Sequence, residues 1–159
     1  MGSEMCIRDS LAGMAAQTSN AAAAQKLWKG RGFAASDVRA FSRVVNRPGG
    51  VTMEAKFEMT SLPNGMLPGA SLFACAQLTR NAVWLPELLE HANTACAIRK
   101  FTIVTSHPEM DASKWANALP SASGKSIMGG AQVRVAQNAI DFVDPAIARK
   151  QFGLSLIHI

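Results

Sequence analysis

The sequence predicts an α/β fold in which helices pack on a partly parallel sheet, preceded by a basic helical segment. Three observations support this fold class. The 159 residues are 48% hydrophobic and 17% charged, a globular composition with no apolar run near the roughly 20 residues of a membrane span. Residues 51–59 alternate between apolar and polar side chains, as a half-buried strand does. From about residue 70, strand-like and helix-like segments alternate, which favours a layered α/β domain.

Both ends of the chain resemble translated library-preparation DNA. Residues 1–10 read MGSEMCIRDS and residues 154–159 read LSLIHI. The two segments are similar to the conceptual translation of one transposase mosaic-end sequencing adaptor in opposite orientations. Foreign segments of this kind are excluded from fold reasoning. We therefore expect residues 11–153 to be the natural part of the chain, present as a fragment, with a truncated fold.

The first natural residues are small and almost uncharged, reading LAGMAAQTSNAAAA over 11–24. They fit the end of a secretory signal, in which Ala22 and Ala24 form an A-x-A cleavage pattern. They fit an ordinary Ala-rich helix equally well. The signal interpretation predicts a periplasmic or secreted protein, and the helix interpretation leaves a cytoplasmic location open.

A basic helix is predicted after this leader, so that the leader and helix together occupy residues 11–50. Ser36 is a suitable N-cap, and Pro48 ends the pattern. At a spacing of four, Arg39, Arg43 and Arg47 would form a stripe along one helix face. The stripe is a candidate anion- or partner-binding site for nucleic-acid phosphates or for acidic protein or lipid surfaces. A solvated helix face is the alternative.

An incomplete α/β domain is predicted over residues 51–153. Pro86 and Pro145 each suit the first turn of a helix, and Asp144 suits an N-cap. The predicted elements are a strand at 51–59, a strand or helix start at 70–78, a helix at 86–98, a strand at 101–105, a helix at 111–119, a polar loop at 121–126, a strand pair at 133–136 and 139–143, and a last helix from 145.

Two cysteines, Cys75 and Cys96, lie outside the terminal segments. Because no C-x-x-C motif is present, thiol–disulfide exchange is disfavoured, and no zinc-ligand spacing occurs. Two buried thiols and a structural disulfide between Cys75 and Cys96 both remain open; the disulfide would contribute about 3 kcal/mol in an oxidising compartment. No catalytic residue, metal ligand or cofactor site is predicted.

The stretch from residue 71 to 153 resembles thioredoxin-like domains, in particular those of the periplasmic pilus-assembly proteins of F-type conjugative secretion systems. The resembling pieces read SLFA at 71–74, LPELLEHA at 85–92, FTIVT at 101–105 and IDFVDPAIARKQFG at 140–153. The resemblance implies a thioredoxin-like layer. Since the redox cysteine pair is absent, it also implies a periplasmic scaffold without catalytic activity.

The function favoured at this point is a non-enzymatic envelope or secretion-system accessory protein that acts through protein partners. One alternative is a basic nucleic-acid-associated protein that uses the basic helix. Another is a fragment of a larger enzyme whose remaining catalytic residues lie outside this chain.

Overall fold

The computed structural model of the protein describes residues 13–47 and 49–153. The adaptor-like segments at 1–10 and 154–159 therefore lie outside the described residues. Within the described residues the chain forms eight strands and three α-helices, with two single-turn helices at Arg80–Ala82 and Pro86–Leu88. In chain order the elements are β1 (Gly13–Thr18), α1 (Ala21–Gly30), β2 (Arg39–Asn46), β3 (Thr52–Ser61), β4 (Ser71–Gln77), β5 (Lys100–Val104), α2 (Pro108–Ala118), β6 (Ser123–Ile127), β7 (Gly130–Val135), β8 (Asn138–Val143) and α3 (Pro145–Phe152).

The described strands form two four-stranded sheets with the same connectivity. The first sheet has the order β1-β4-β3-β2 and the second the order β5-β8-β7-β6. In each sheet the strand that comes first in the sequence pairs in parallel with the strand that comes last, as β1 with β4 and β5 with β8. The other neighbouring strands pair antiparallel. A parallel pair requires a crossover, and here α1 and α2 lie within the two crossover connections. The chain is therefore a tandem of two βαβββ modules, residues 13–77 and 100–143.

The prediction of a thioredoxin-like layer is wrong. The expectation was one partly parallel sheet covered by helices and preceded by a helical segment. The structure instead has two mixed sheets, and the supposed leader supplies strands β1 and β2 to the first of them. An alternation of strands and helices does not separate these two folds, because each βαβββ module also contains a parallel strand pair joined through a helix.

The helix predicted around residues 37–47 is a strand. Residues four apart share a face in a strand as well as in a helix, so the spacing of Arg39 and Arg43 fits both structures. Strand pairing determines which of the two structures forms. β2 runs antiparallel to β3 over its whole length, with Arg43 opposite Ala55. The glycines at 49 and 50 have φ of 87° and 81°, which permits the tight connection between the two strands.

Two further element predictions are wrong. Residues 86–98 contain one short helical turn, and Leu88 and Leu89 are 57% and 48% exposed, so the predicted helix has no apolar surface to pack against. The predicted polar loop at 121–126 largely forms β6, which pairs antiparallel with β7. The residues of β6 are almost all exposed, and an exposed edge strand carries little hydrophobic pattern.

The remaining element predictions after residue 50 are confirmed. The alternating segment is β3, the apolar run at 70–78 is the strand β4, and residues 101–105 fall on β5. The helix carrying Trp115 is α2, and the strand pair is the β7–β8 hairpin. The last helix, α3, begins after Asp144, whose carboxylate accepts the N–H of Ala146, and ends at Gly153 with φ 63°.

The two modules share a hydrophobic core. Trp115 and Phe142 are fully buried and Trp28 nearly so, and all three belong to one cluster with residues from both sheets. Each tryptophan also bonds to the other module: Trp28 Nε1 donates to the carbonyl of Ala118 at 2.7 Å, and Trp115 Nε1 donates to the carbonyl of Pro68 at 3.0 Å. The modules are thus joined by buried contacts with satisfied polar groups.

The Ala-rich leader contributes to this core. Its residues form β1, which pairs with β4, and the first turn of α1, and Met14, Ala16 and Ala24 pack against the shared cluster. The division into a leader at 11–50 and a domain at 51–153 stays a prediction. No helix in the described part of the chain combines the length and apolar character needed to cross a bilayer.

Two glycines in adjacent strands offer a matched test of the second sheet. A Cβ added at Gly130 would clash with the carbonyl oxygen of Phe142, whereas one added at Gly124 would meet no atom within 4 Å. We expect Gly130→Ala to lower the free energy of unfolding by roughly 3 kcal/mol or more. Gly124→Ala should be neutral or stabilising by up to about 1 kcal/mol. Urea unfolding measures both, and equal effects would contradict the register of β7 on β8.

Candidate functional site

A cavity of about 800 Å³ lies between the edge of the first sheet and the second module. Five consecutive β1 residues, 13–17, form one wall. The opposite wall is apolar and comes from the second module, including Phe101, Trp115 and Ile140. The volume of the cavity is in the range of small-molecule binding sites, which are commonly apolar clefts between structural units.

The position of β1 at the edge of its sheet creates this cavity. Because β4 pairs with one side of β1 only, the other side faces the second module. Ala15 and Gln17 are exposed on one face of β1, and Cys75 lies beside Gln17 on the neighbouring strand β4. An unpaired strand edge also offers backbone N–H and C=O groups to whatever fills the space.

The polar side chains of the cavity are three amides, two indoles and one thiol. Gln77 accepts a hydrogen bond from Trp84 Nε1, which fixes the indole at the mouth of the site. The Arg80 guanidinium stacks over the same indole at 5.1 Å from the ring centre. On the other side, Asn138 Nδ2 donates to the carbonyl of Ile98 at 2.6 Å. Among the residues lining the cavity, none has a side chain that is charged at neutral pH.

The two candidate disulfide cysteines are free thiols in the structure. Cys75 is half-buried on β4 and lines the cavity, whereas Cys96 is exposed in the irregular segment before β5. The expectation that both thiols are buried is therefore wrong for Cys96. Burial raises the pKa of the Cys75 thiol above its usual value, so this thiol is protonated and weakly nucleophilic at neutral pH.

The residues present do not fit a metal centre. Catalytic divalent metals are held by several imidazole, carboxylate or thiolate groups around one point. In residues 13–47 and 49–153, no three His, Cys, Asp or Glu side chains are grouped in this way. The cavity itself supplies a single group of these types, the Cys75 thiol.

The arginine stripe lies elsewhere. Arg39 and Arg43 share a face of β2, at the opposite edge of the first sheet from β1, and Arg47 follows the last residue of β2. None of the three lines the cavity. The structure thus keeps Arg39 and Arg43 on one surface, but as part of a strand. Their role as an anion- or partner-binding site stays a prediction.

Two βαβββ modules that together line a largely apolar cavity beside an edge strand define a paired-module β-rich domain. The chain belongs to the glyoxalase-like domain family, whose model matches residues 7–119. The fold is also similar to the crystal structure of a hypothetical protein from Staphylococcus aureus, with a TM-score of 0.59 at 8% identity over 83% of this chain. The chain spans about half of that protein, 52% of its length. A search of curated proteins finds no match.

These findings correct the sequence-based identification. The family match and the paired modules overturn the resemblance to thioredoxin-like domains of conjugative pilus-assembly proteins, and the accessory function that depended on it. The resembling pieces were short: a strand followed by an Asp-Pro helix start occurs here as β8 and α3, but in a sheet of different topology.

The cavity residues Gln17, Gln77 and Trp84 were missed by sequence reasoning. The alternation along β4 would have shown that Cys75 and Gln77 share a face. It would not have shown that Gln17 joins them, because this depends on the parallel pairing of β1 with β4, more than fifty residues away in sequence.

The raised pKa of Cys75 predicts a pH shift in its alkylation. In the folded protein the Cys75 thiol keeps its proton at pH values at which the unfolded chain releases it. The pH of half-maximal reaction with iodoacetamide should therefore be higher in the native protein than in urea. Between the pKa of Cys75 in the unfolded chain and its higher pKa in the folded protein, the free energy of unfolding should fall as pH rises. Peptide-resolved mass spectrometry separates Cys75 from the exposed Cys96, which should react faster near neutral pH. A native profile equal to the profile in urea would contradict the burial of Cys75.

Proposed function

We propose that this chain is a small-molecule binding domain whose ligand occupies the cavity beside β1. The observation that carries the proposal is the chemistry of the cavity wall. It is mostly apolar and contains amide, indole and thiol groups, without a charged side chain. Such a wall suits a largely apolar, uncharged molecule that carries one or two carbonyl or hydroxyl groups.

The size of the site limits the ligand to a small molecule. The half-exposed indole of Trp84 offers a flat apolar surface, and Gln17 offers an amide that makes no hydrogen bond with the described residues. A charged ligand would lose part of its hydration here, and no residue that lines the cavity carries a charge to pair with it. Uncharged ligands should therefore bind in preference to their carboxylate analogues.

Binding is favoured over catalysis by the groups at the cavity. General acid–base catalysis requires a side chain that titrates near neutral pH within hydrogen-bonding distance of the substrate. The single titratable group in the wall is Cys75, whose pKa is raised by burial. The grouping of ligands required by a metal is also lacking in the described residues. Because the chain spans about half of the matched structure, the activity of a longer protein would draw on parts outside this chain.

A periplasmic or secreted location is a separate proposal. The periplasmic or secreted location was expected from residues 11–24, most of which form β1 and the beginning of α1. Fractionation of cells that express the natural gene would test it.

A bulky side chain added to the cavity wall should weaken ligand binding. Ala15 is exposed, lines the cavity and lies on a strand edge, so Ala15→Phe adds a ring there without disturbing the buried core. We expect this variant to bind the uncharged dye Nile red at least about tenfold more weakly than the unaltered protein. Ala22→Phe, at an exposed position of α1 outside the cavity, is the matched control and should bind normally. Dye fluorescence titration measures both. Equal binding by the two variants, or stronger binding of a carboxylated analogue, would overturn the proposal.

A further inference from the structure

We propose that β2 is a docking edge for an acidic, extended segment of another protein, which adds to the first sheet as a further strand. The proposal is independent of the cavity, which lies beside β1 at the other edge of the same sheet. It rests on three properties of β2: its free edge, its exposed apolar residues and its unpaired positive charge.

β2 has a long free edge. β2 pairs with β3 through eight residues, Arg39 to Asn46, and no described strand pairs with its other side. Alternate N–H and C=O groups therefore point away from the sheet and can pair with an added strand. Natural edge strands are commonly short, bulged or covered, whereas the paired residues of β2 follow one another without a bulge.

Apolar side chains are exposed on both faces of β2. Val44 is 69% exposed on one face, and Phe41 is 46% exposed on the other. The Phe41 ring stacks on Phe57 of β3 at 5.1 Å, so its position is fixed while one side of the ring stays open. A strand added along β2 would cover part of both side chains, as cross-strand neighbours do.

The charge of β2 selects the partner. Arg39 and Arg43 lie on the same face as Phe41, opposite Met59 and Ala55 of β3, so no carboxylate faces them across the sheet. Neither arginine forms an ion pair with the described residues, although Arg43 lies over the Phe57 ring at 5.5 Å. An added strand with carboxylates on this face would pair with both guanidinium groups.

A second copy of this chain is a poorer occupant. Antiparallel pairing of two β2 strands centred on Arg43 would place the two Arg43 side chains opposite each other. A register shift of two residues leaves them as diagonal neighbours, and like charges so placed are destabilising. An acidic partner removes this repulsion, and it also complements the net charge of +5.

The experiment uses the full chain and a synthetic peptide as long as β2, in which glutamate and valine alternate. We expect saturable binding that weakens as salt is raised, with hydrogen-exchange protection of β2 amides in the complex. Arg39→Glu combined with Arg43→Glu should weaken binding roughly tenfold or more. The single variant Arg39→Glu, which loses no contact within the described residues, should weaken it in the same direction. Thermal unfolding confirms that each variant is folded.

Three controls define failure. Lys26→Glu combined with Lys150→Glu makes the same charge change on exposed helix positions and should leave binding unaltered. A peptide of alternating lysine and valine should not bind, and N-methylation of alternate glutamate-peptide amides should abolish β2 protection. The proposal is overturned if the glutamate peptide does not bind, if N-methylation has no effect, if β2 stays unprotected, or if a single-stranded oligonucleotide binds more tightly than the peptide.

Discussion

The parallel pairing of the first and last strand in each module is the constraint on which the rest of this structure depends. β1 pairs with β4 through six residues and β5 with β8 through five, and each pair joins segments far apart in sequence. Once β4 is inserted beside β1, the hairpin of β2 and β3 can extend the sheet on one side only. The order β1-β4-β3-β2 follows, and β1 and β2 become the two edges of the sheet.

These two edges have different chemistry, and the difference explains how one small domain can present two surfaces. The β1 edge and the apolar wall that includes Phe101, Trp115 and Ile140 line the same cavity. The β2 edge faces solvent and carries Arg39 and Arg43. Tryptophan contacts join the two modules: Trp28 and Trp115 each donate a hydrogen bond to a carbonyl of the opposite module. No equivalent contact covers β2 in the described residues.

Sequence reasoning identified elements whose signal is local. The alternation of β3, the Asp-Pro start of α3 and the Trp-containing α2 each depend on neighbouring residues, and all three were predicted. The sheet order was not predicted, since it depends on pairings such as Met14 with Leu72 that leave no local trace. The candidate site was missed for the same reason. Gln17 and Cys75 are brought together by this pairing alone, and neither residue type marks a binding site by itself.

The basic segment shows why a spacing of four residues cannot decide between helix and strand. Four is a multiple of the strand period and close to the helical period of 3.6, so arginines at 39 and 43 share a face in either structure. The intervening residues carry the information that distinguishes them. Phe41, Val44 and Val45 are β-formers, and a hairpin connection follows them. The functional consequence changes with the structure: a helix face would offer the charges alone, whereas an edge strand offers them beside unpaired backbone groups. A partner that uses both must be extended as well as acidic, and this requirement separates strand addition from general attraction between opposite charges.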